Sequence, residues 1–203
     1  MFLTLEGGDA VGKSTQAAAL EAWLAGLGRT VVRTREPGGT DLGAAIRDLV
    51  LHRDGPVAPR AEALLYAADR AQHVASVVRP ALERGDVVVQ DRYLDSSVAY
   101  QGAGRVLDAD EVRGLSIWAA EGLLPDLTVL LDLDPRVGRA RRADRERYDR
   151  LEAEEDDFHD RVREAFLALA AEAPDRFLVV DAALPVDDVQ ATIRAAVAPL
   201  LER

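Results

Sequence analysis

The sequence predicts an α/β fold, a parallel β-sheet covered by helices on both faces. Short apolar runs of strand length alternate with longer segments of helical period throughout the chain. The first run, residues 1–5, passes through Gly7-Gly8-Asp9-Ala10-Val11-Gly12-Lys13-Ser14 into a helical pattern. In that pattern Leu20, Trp23, Leu24 and Leu27 fall at i, i+3, i+4 and i+7. Repeated strand–helix units of this kind imply parallel pairing with crossover helices on the faces. Ligands of such sheets sit beyond the carboxyl ends of the strands, so the residues just after each strand carry the functional argument.

The other elements follow in order. A second strand covers residues 30–35, after Gly26 and Gly28 end the first helix. Glu36-Pro37-Gly38-Gly39 is a turn, and residues 42–51 form a short helix. Residues 58–84 read as one long helical pattern, with Pro59 at its start, Gly85 as its stop, and a kink or split expected at Pro80. Residues 87–91 are a third strand. Asp108 with Glu111 opens a helix that runs to about residue 121. Residues 127–133 and 176–180 are the fourth and fifth strands, and a last helix begins near Val186.

Strand, glycine-rich turn and helix make the G-x-x-x-x-G-K-[ST] match a phosphate-binding loop and the fold a P-loop NTPase. The backbone N–H groups of residues 7–15, from Gly7 to Thr15, point inward around an anion, and the helix dipole adds positive potential. Lys13 then reaches the β- and γ-phosphates, and the Ser14 hydroxyl ligates Mg²⁺. Of the 25 basic residues only Lys13 is lysine, and the rest are arginine. A compact ammonium is thus kept at the one position where such a loop needs it.

Asp91-Arg92-Tyr93 ends the third strand, where an aspartate assists Mg²⁺ and an arginine fork suits a phosphate. Tyr66 and Arg70, four apart on a helix, share a face and suit a planar base. Ser96, Ser97, Tyr100 and Gln101 add hydroxyls, a phenol and an amide just beyond Arg92, a second small-ligand pocket facing the phosphate loop. Six arginines lie between residues 139 and 150, against Asp144, Glu146 and Asp149. Charge patterning alone makes this a solvated helix–loop–helix, whereas beside a phosphate loop it is an arginine-rich lid at about 139–157.

At 203 residues the chain is expected to be one domain. Without cysteine it can form neither disulfides nor a thiolate metal site. A net charge of −11 argues against nucleic-acid binding. No apolar run reaches the ~20 residues of a spanning helix, and the N-terminus enters a strand at once, so no membrane partner or signal peptide is expected and the cytoplasm is the default location.

The phosphate loop through Thr15, Thr34-Arg35-Glu36-Pro37-Gly38-Gly39-Thr40, Leu64-Leu65-Tyr66-Ala67-Ala68-Asp69-Arg70-Ala71-Gln72-His73 and Asp91-Arg92-Tyr93-Leu94-Asp95-Ser96-Ser97-Val98-Ala99-Tyr100-Gln101-Gly102 together resemble the bacterial thymidylate kinases. The likeness runs from Phe2 to the last helix and includes Pro125-Asp126-Leu127-Thr128 and Asp149-Arg150-Leu151-Glu152. The resemblance implies a homodimer with a five-stranded parallel sheet that converts dTMP and MgATP to dTDP and ADP. It implies that Tyr66, where the family usually has phenylalanine, stacks on thymine while Arg70 and Ser97 read its edge. It further implies that Arg92 and Arg47 hold the dTMP phosphate, that Asp9 lies near the 3′-hydroxyl and Arg92, and that Tyr100 presses on C2′ to exclude a ribose. By the same resemblance Arg141 and the loop from Ala182 to Pro185 are expected to flank adenine. Some family members carry an arginine within the phosphate loop. Here Ala10 stands in the loop, which implies a catalytic arginine in the lid, Arg145. Another nucleoside monophosphate kinase, or an ATPase switch that controls a partner, would share the phosphate loop, but a switch has no need of the second pocket.

Overall fold

The computed structural model describes residues 1–53, 55–105, 107–142 and 149–202. Five strands, β1 (Phe2–Glu6), β2 (Val31–Arg35), β3 (Val87–Asp91), β4 (Leu127–Asp132) and β5 (Phe177–Asp181), form one all-parallel sheet in the order β2-β3-β1-β4-β5. The α/β expectation holds, with strand bounds within one residue of those read from the sequence. The central strands β1, β3 and β4 are almost continuously apolar and buried on both faces, while the outer β2 and β5 are partly exposed. β1 lies between β3 and β4, so the chain turns to opposite sides of the sheet from its middle strand. The loop after β1 therefore opens at the crevice where connections diverge.

The helices are α1 (Lys13–Gly26), α2 (Asp41–Arg47), α3 (Pro59–His73), α4 (Arg79–Glu83), α5 (Leu94–Ser97), α6 (Ala109–Ala119), α7 (Pro135–Arg142), α8 (Asp156–Glu172) and α9 (Val186–Val197). Thr40 caps α2 by accepting the Gly43 N–H at 2.9 Å, and Asp108 caps α6 by accepting those of Asp110 and Glu111. The long pattern at 58–84 is divided, as Pro80 requires. A wider π-type turn, Val74–Val78, separates α3 from α4, and Pro80 falls in the first turn of α4, where its missing N–H costs least. Two more π-type turns extend α2 (Asp48–His52) and α5 (Val98–Gly104), which the helical period of the sequence does not announce.

One core joins β1 and β4 to α1 and α9 through Leu3, Leu5, Leu20, Leu24, Val129 and Ile193. On the other face, Leu130, Phe158, Val162 and Phe166 pack against Tyr66 and Tyr100. These last two rings have one side in the core and the other on the cavity described next. The sheet thus fixes the floor of the site through ordinary burial.

Candidate active site

The phosphate loop departs from β1 with backbone conformations that few side chains tolerate. Gly7 has φ +129°, and a Cβ there would collide with the Leu131 carbonyl, so the loop passes this close to β4 only because this residue is glycine. Ala10 and Gly12 are also left-handed, at φ +59° and +97°. Lys13 folds over the loop and donates from Nζ to the carbonyls of Gly7 at 3.2 Å and Gly8 at 2.6 Å. Burial, helped by the nearby Arg92, lowers its pKa to about 8. A polyanion in the loop would reverse that shift. Ser14 donates from Oγ to Asp91 Oδ2 at 3.0 Å, joining residues 77 apart in sequence. One hydroxyl and one carboxylate at the mouth of a phosphate loop form a hard-oxygen donor set that suits Mg²⁺, which takes few protein ligands beside phosphate and water. Among the described residues no cluster of three or more acidic, His or Cys ligands is present.

Beyond β3 the chain turns sharply, with Arg92 at φ +65°. Glu6, the last residue of β1, holds this turn from beneath. Its carboxylate accepts the N–H of Tyr93 at 2.7 Å, the N–H of Ser96 at 3.3 Å and the Ser96 hydroxyl at 2.6 Å. Burial, with Asp95 nearby, raises the Glu6 carboxyl to about 7. The Arg92 guanidinium donates from Nη1 to the Gly7 carbonyl and Ser96 Oγ, and from Nη2 to Asp9 Oδ1 at 2.6 Å and the Tyr100 hydroxyl at 3.1 Å. It also lies 4.9 Å from the centre of the Tyr100 ring. Arg92, Asp9, Ser96 and Tyr100 are therefore one cluster, as the sequence reading expected of neighbours in a pocket.

The wall opposite is α3. Arg70 is only 1% exposed and donates from Nε to Glu36, from Nη1 to Ser116, and from Nη2 to the Tyr93 carbonyl and Ser97 Oγ. The second Glu36 oxygen lies 2.9 Å from His73 Nδ1, and the other ring nitrogen of His73 lies 2.6 Å from Thr34 Oγ1. Asp69 accepts the Gly38 N–H at 3.1 Å. Its second oxygen is buried without a hydrogen bond, and burial, then the charge of Glu36, raises its pKa to about 6. The turn after β2 is thus gripped by three residues of one helical face, Asp69, Arg70 and His73. Arg47, at the end of α2, reaches back to that turn and donates to the Pro37 carbonyl at 3.1 Å. Burial and the adjacent Arg35 guanidinium lower the Arg47 pKa. Mutually repelling guanidinium groups at a cavity mark a place that an anion would stabilise.

All these parts meet in one cavity of about 250 Å³. Asp9, Ala10, Lys13 and Ser14 line it on one side, and Arg35, Arg47, Tyr66, Arg70, Ser97, Tyr100 and Gln101 on the other, with Asp91 and Arg92 between. Tyr66 is buried, its hydroxyl makes no hydrogen bond among the described residues, and burial followed by the charge of Glu62 raises its pKa. Arg141 donates to the Ala182 carbonyl at 3.1 Å, which places these two expected adenine neighbours together. Arg145 lies outside the described residues.

Several residues of the site went unnamed by sequence reasoning. Glu6, Glu36 and Glu62 are buried acids whose partners are far away in sequence. Glu62 receives Gln101, Arg105 and Arg150. Arg35, Asp149 and Glu152 also line the cavity. The available signal was the setting of Arg35 and of Asp149 with Glu152 within family-like motifs, whereas nothing local distinguishes Glu62 from a solvated helix residue.

A lysine-bearing phosphate loop that shares a cavity with a guanidinium-lined second pocket defines a P-loop phosphotransferase with an anionic acceptor. The comparisons with known proteins narrow that class. The thymidylate kinase family model matches residues 5–193. The thymidylate kinase of Leifsonia xyli subsp. xyli is 77% identical over 195 residues, covering 96% of this chain and 92% of that protein. That of Clavibacter sepedonicus is 71% identical over 196 residues, covering 96% and 93%. The crystal structure of thymidylate kinase from Ehrlichia chaffeensis superposes with a TM-score of 0.80 at 29% identity, covering 97% of this chain and 98% of that one. The chain belongs to the thymidylate kinase family.

Proposed function

We propose that the protein transfers the γ-phosphate of MgATP to dTMP, giving dTDP and ADP, as one domain with a lid at 139–157. The observation that carries this reading is the opening of the phosphate loop and the Tyr66–Arg70–Ser97 pocket into one cavity, with Arg92 between them. Thymine stacks on Tyr66, with the Ser97 hydroxyl and the one terminal Arg70 N–H not engaged by protein at its edge. The dTMP phosphate meets Arg47, Arg35 and Arg92. Because the four terminal N–H groups of Arg92 already have protein acceptors, it meets the phosphate through Nε or by releasing Asp9. Tyr100, whose hydroxyl donates to Asp9 at 3.3 Å, stands against the sugar.

Both reactants are polyanions, so the main obstacle is charge repulsion and the main task is alignment. Lys13 and the loop N–H groups neutralise the donor phosphates, and Arg92 stands between donor and acceptor. No general base is needed, because the acceptor oxygen is already ionised near neutral pH. Mg²⁺, held by Ser14 and Asp91, would neutralise charge on the donor phosphates. The catalytic arginine that the family resemblance implies is Arg145, outside the described residues, and Arg141 with Ala182 borders adenine. The lid excludes water and so suppresses hydrolysis of ATP.

The reading extends to a cytoplasmic homodimer that binds neither nucleic acid nor membrane. Among the described residues no helix is long and apolar enough to cross a bilayer. Trp118 at 78% exposure, Ile117 and Leu64 form apolar surface on the contacting helices α6 and α3, which suits a second copy. A panel of nucleoside monophosphates with MgATP, read for ADP and for the diphosphate product, tests the reaction. We expect turnover with dTMP. ADP release that is indifferent to every acceptor would overturn the reading in favour of an ATPase.

A further inference from the structure

We infer that Glu62 is a specificity-positioning residue: it fixes which way round the Gln101 amide faces, and so which pyrimidine edge the pocket accepts. The inference rests on the acceptor-pocket reading above and deepens it. Glu62 lies in the first turn of α3 and is fully buried. One carboxylate oxygen accepts from Gln101 Nε2 at 2.9 Å and from Arg105 Nε at 3.3 Å, and the other accepts from Arg150. Arg150 also donates to the Val50 carbonyl, and Arg105 to Glu154, so the assembly is held at both ends.

A carboxylate facing two guanidinium groups only accepts hydrogen bonds. Gln101 can therefore offer it only the amino half of its amide. The amide carbonyl then faces the cavity that Gln101 lines beside Tyr66, Arg70 and Ser97. That carbonyl makes no hydrogen bond among the described residues. Its neighbour Ser97 accepts from Arg70, so the Ser97 hydroxyl proton is available to the cavity. The pocket thus offers a donor beside an acceptor. Thymine and uracil present the complement, a carbonyl beside a ring N–H. Cytosine presents an amino group beside a bare ring nitrogen and mismatches both positions. Leaving buried polar groups unpaired is what makes such a mismatch expensive.

Replacing Glu62 by glutamine keeps size and shape and changes the hydrogen-bond code. The introduced amide, with its carbonyl retained by Arg150, turns its amino half toward Gln101 and Arg105; the Arg105 Nε–H loses this acceptor while its Nη1 bond to Glu154 remains. Gln101 then reverses and shows N–H to the base. The experiment measures kcat/KM for dTMP, dUMP and dCMP with the full chain, Glu62→Gln and Gln101→Met. For Glu62→Gln the dTMP-to-dCMP ratio is expected to fall by roughly 10- to 100-fold, with an absolute rise for dCMP. The dTMP-to-dUMP ratio should stay fixed, because those bases share the edge in question. A parallel fall for all three acceptors would overturn the inference and leave Glu62 as a structural anchor. If Glu62→Gln does not fold, Gln101→Met tests the acceptor on which the inference depends. It should lower the dTMP-to-dCMP ratio about tenfold by removing the acceptor, and an unchanged ratio would overturn the inference. Failure of the unmodified protein to phosphorylate dTMP is a separate outcome, which removes the function reading itself.

Discussion

The phosphate loop occupies nine consecutive residues, 7–15, while the acceptor pocket draws on residues from Arg35 to Glu152. In the proposed reading the first binds through main-chain N–H groups whose direction is set by left-handed backbone at Gly7, Ala10 and Gly12. The second would bind through side chains, and nearly every one is oriented by a charged partner. Arg70 is held by Glu36, Gln101 by Glu62, and Arg92 by Asp9 and, through Ser96, by Glu6. A triphosphate differs little from one enzyme to another, and a backbone cradle serves it. A base edge must be told from its near relatives, and that takes fixed donors and acceptors in a dry site. Substitutions in the loop should therefore damage the chemistry and spare the fold, whereas those behind the pocket should damage both.

The largest effect is expected at Lys13, whose side chain contacts loop carbonyls and contributes little to the core. Lys13→Ala should lower kcat/KM by about 10³-fold or more while leaving the urea midpoint nearly unchanged. Steady-state kinetics beside equilibrium denaturation checks both halves, and activity within tenfold of the unmodified protein would end the role given to this lysine. Glu36→Ala should behave in the opposite way. It leaves the buried Arg70 guanidinium without its ion pair, and breaking such a pair from one side costs about 3–5 kcal/mol. The urea midpoint should drop, and KM for dTMP should rise more than KM for ATP. A stable variant with equal changes in both KM values would show that Glu36 does not orient the pocket.

The same contrast decides what was legible in the sequence. The loop is a contiguous motif between a strand and a helix, and its backbone does the binding, so residue order alone located it. Tyr66, Arg70, Ser97, Tyr100 and Gln101 were legible in part, from family-like motifs and from i, i+4 spacing. The residues that orient them were not. Glu62 sits on α3 between an alanine and an alanine, and by composition it belongs on a solvated face. Only the packing of the π-type turn Val98–Gly104 and of residues 149–154 against α3 brings Gln101, Arg105 and Arg150 onto it. The helix after β3, with its widened turn Val98–Gly104, was not legible either, since the sequence shows only a concentration of polar groups there and a π-type turn leaves no simple apolar signature.

Asp69 gives the contrast a pH dependence. Its folded-state pKa of about 6 lies above the ordinary value of 3.8, so the native protein holds the extra proton between these values. Stability from this group is therefore complete below the unfolded value and is lost as pH rises through about 6. Asparagine keeps an acceptor for the Gly38 N–H and cannot ionise. Asp69→Asn should thus gain roughly 1–3 kcal/mol relative to the unmodified protein between about pH 4 and pH 7. Glu6 is present in both proteins, so its own titration cancels in the difference. Urea denaturation across this range provides the test, and a pH-independent difference would mean that Asp69 is not ionised at a cost in the folded state.

The smallest effect separates what Tyr66 does as a ring from what it does as a phenol. Its ring packs on the core on one side and borders the cavity on the other, while its hydroxyl makes no hydrogen bond among the described residues. Stacking a base on an aromatic ring contributes ~1–3 kcal/mol. Tyr66→Ala should accordingly weaken dTMP binding by that amount and leave ATP affinity alone, because the phosphate loop does not depend on this side chain. Tyr66→Phe removes an oxygen without a protein partner and keeps the ring, so its cost should stay below about 0.5 kcal/mol. Calorimetric titration of each variant with dTMP, and separately with ATP, distinguishes the cases. A large loss in Tyr66→Phe would place the hydroxyl in direct contact with the nucleotide. A loss of ATP affinity in Tyr66→Ala would mean that the two halves of the cavity have been assigned the wrong way round.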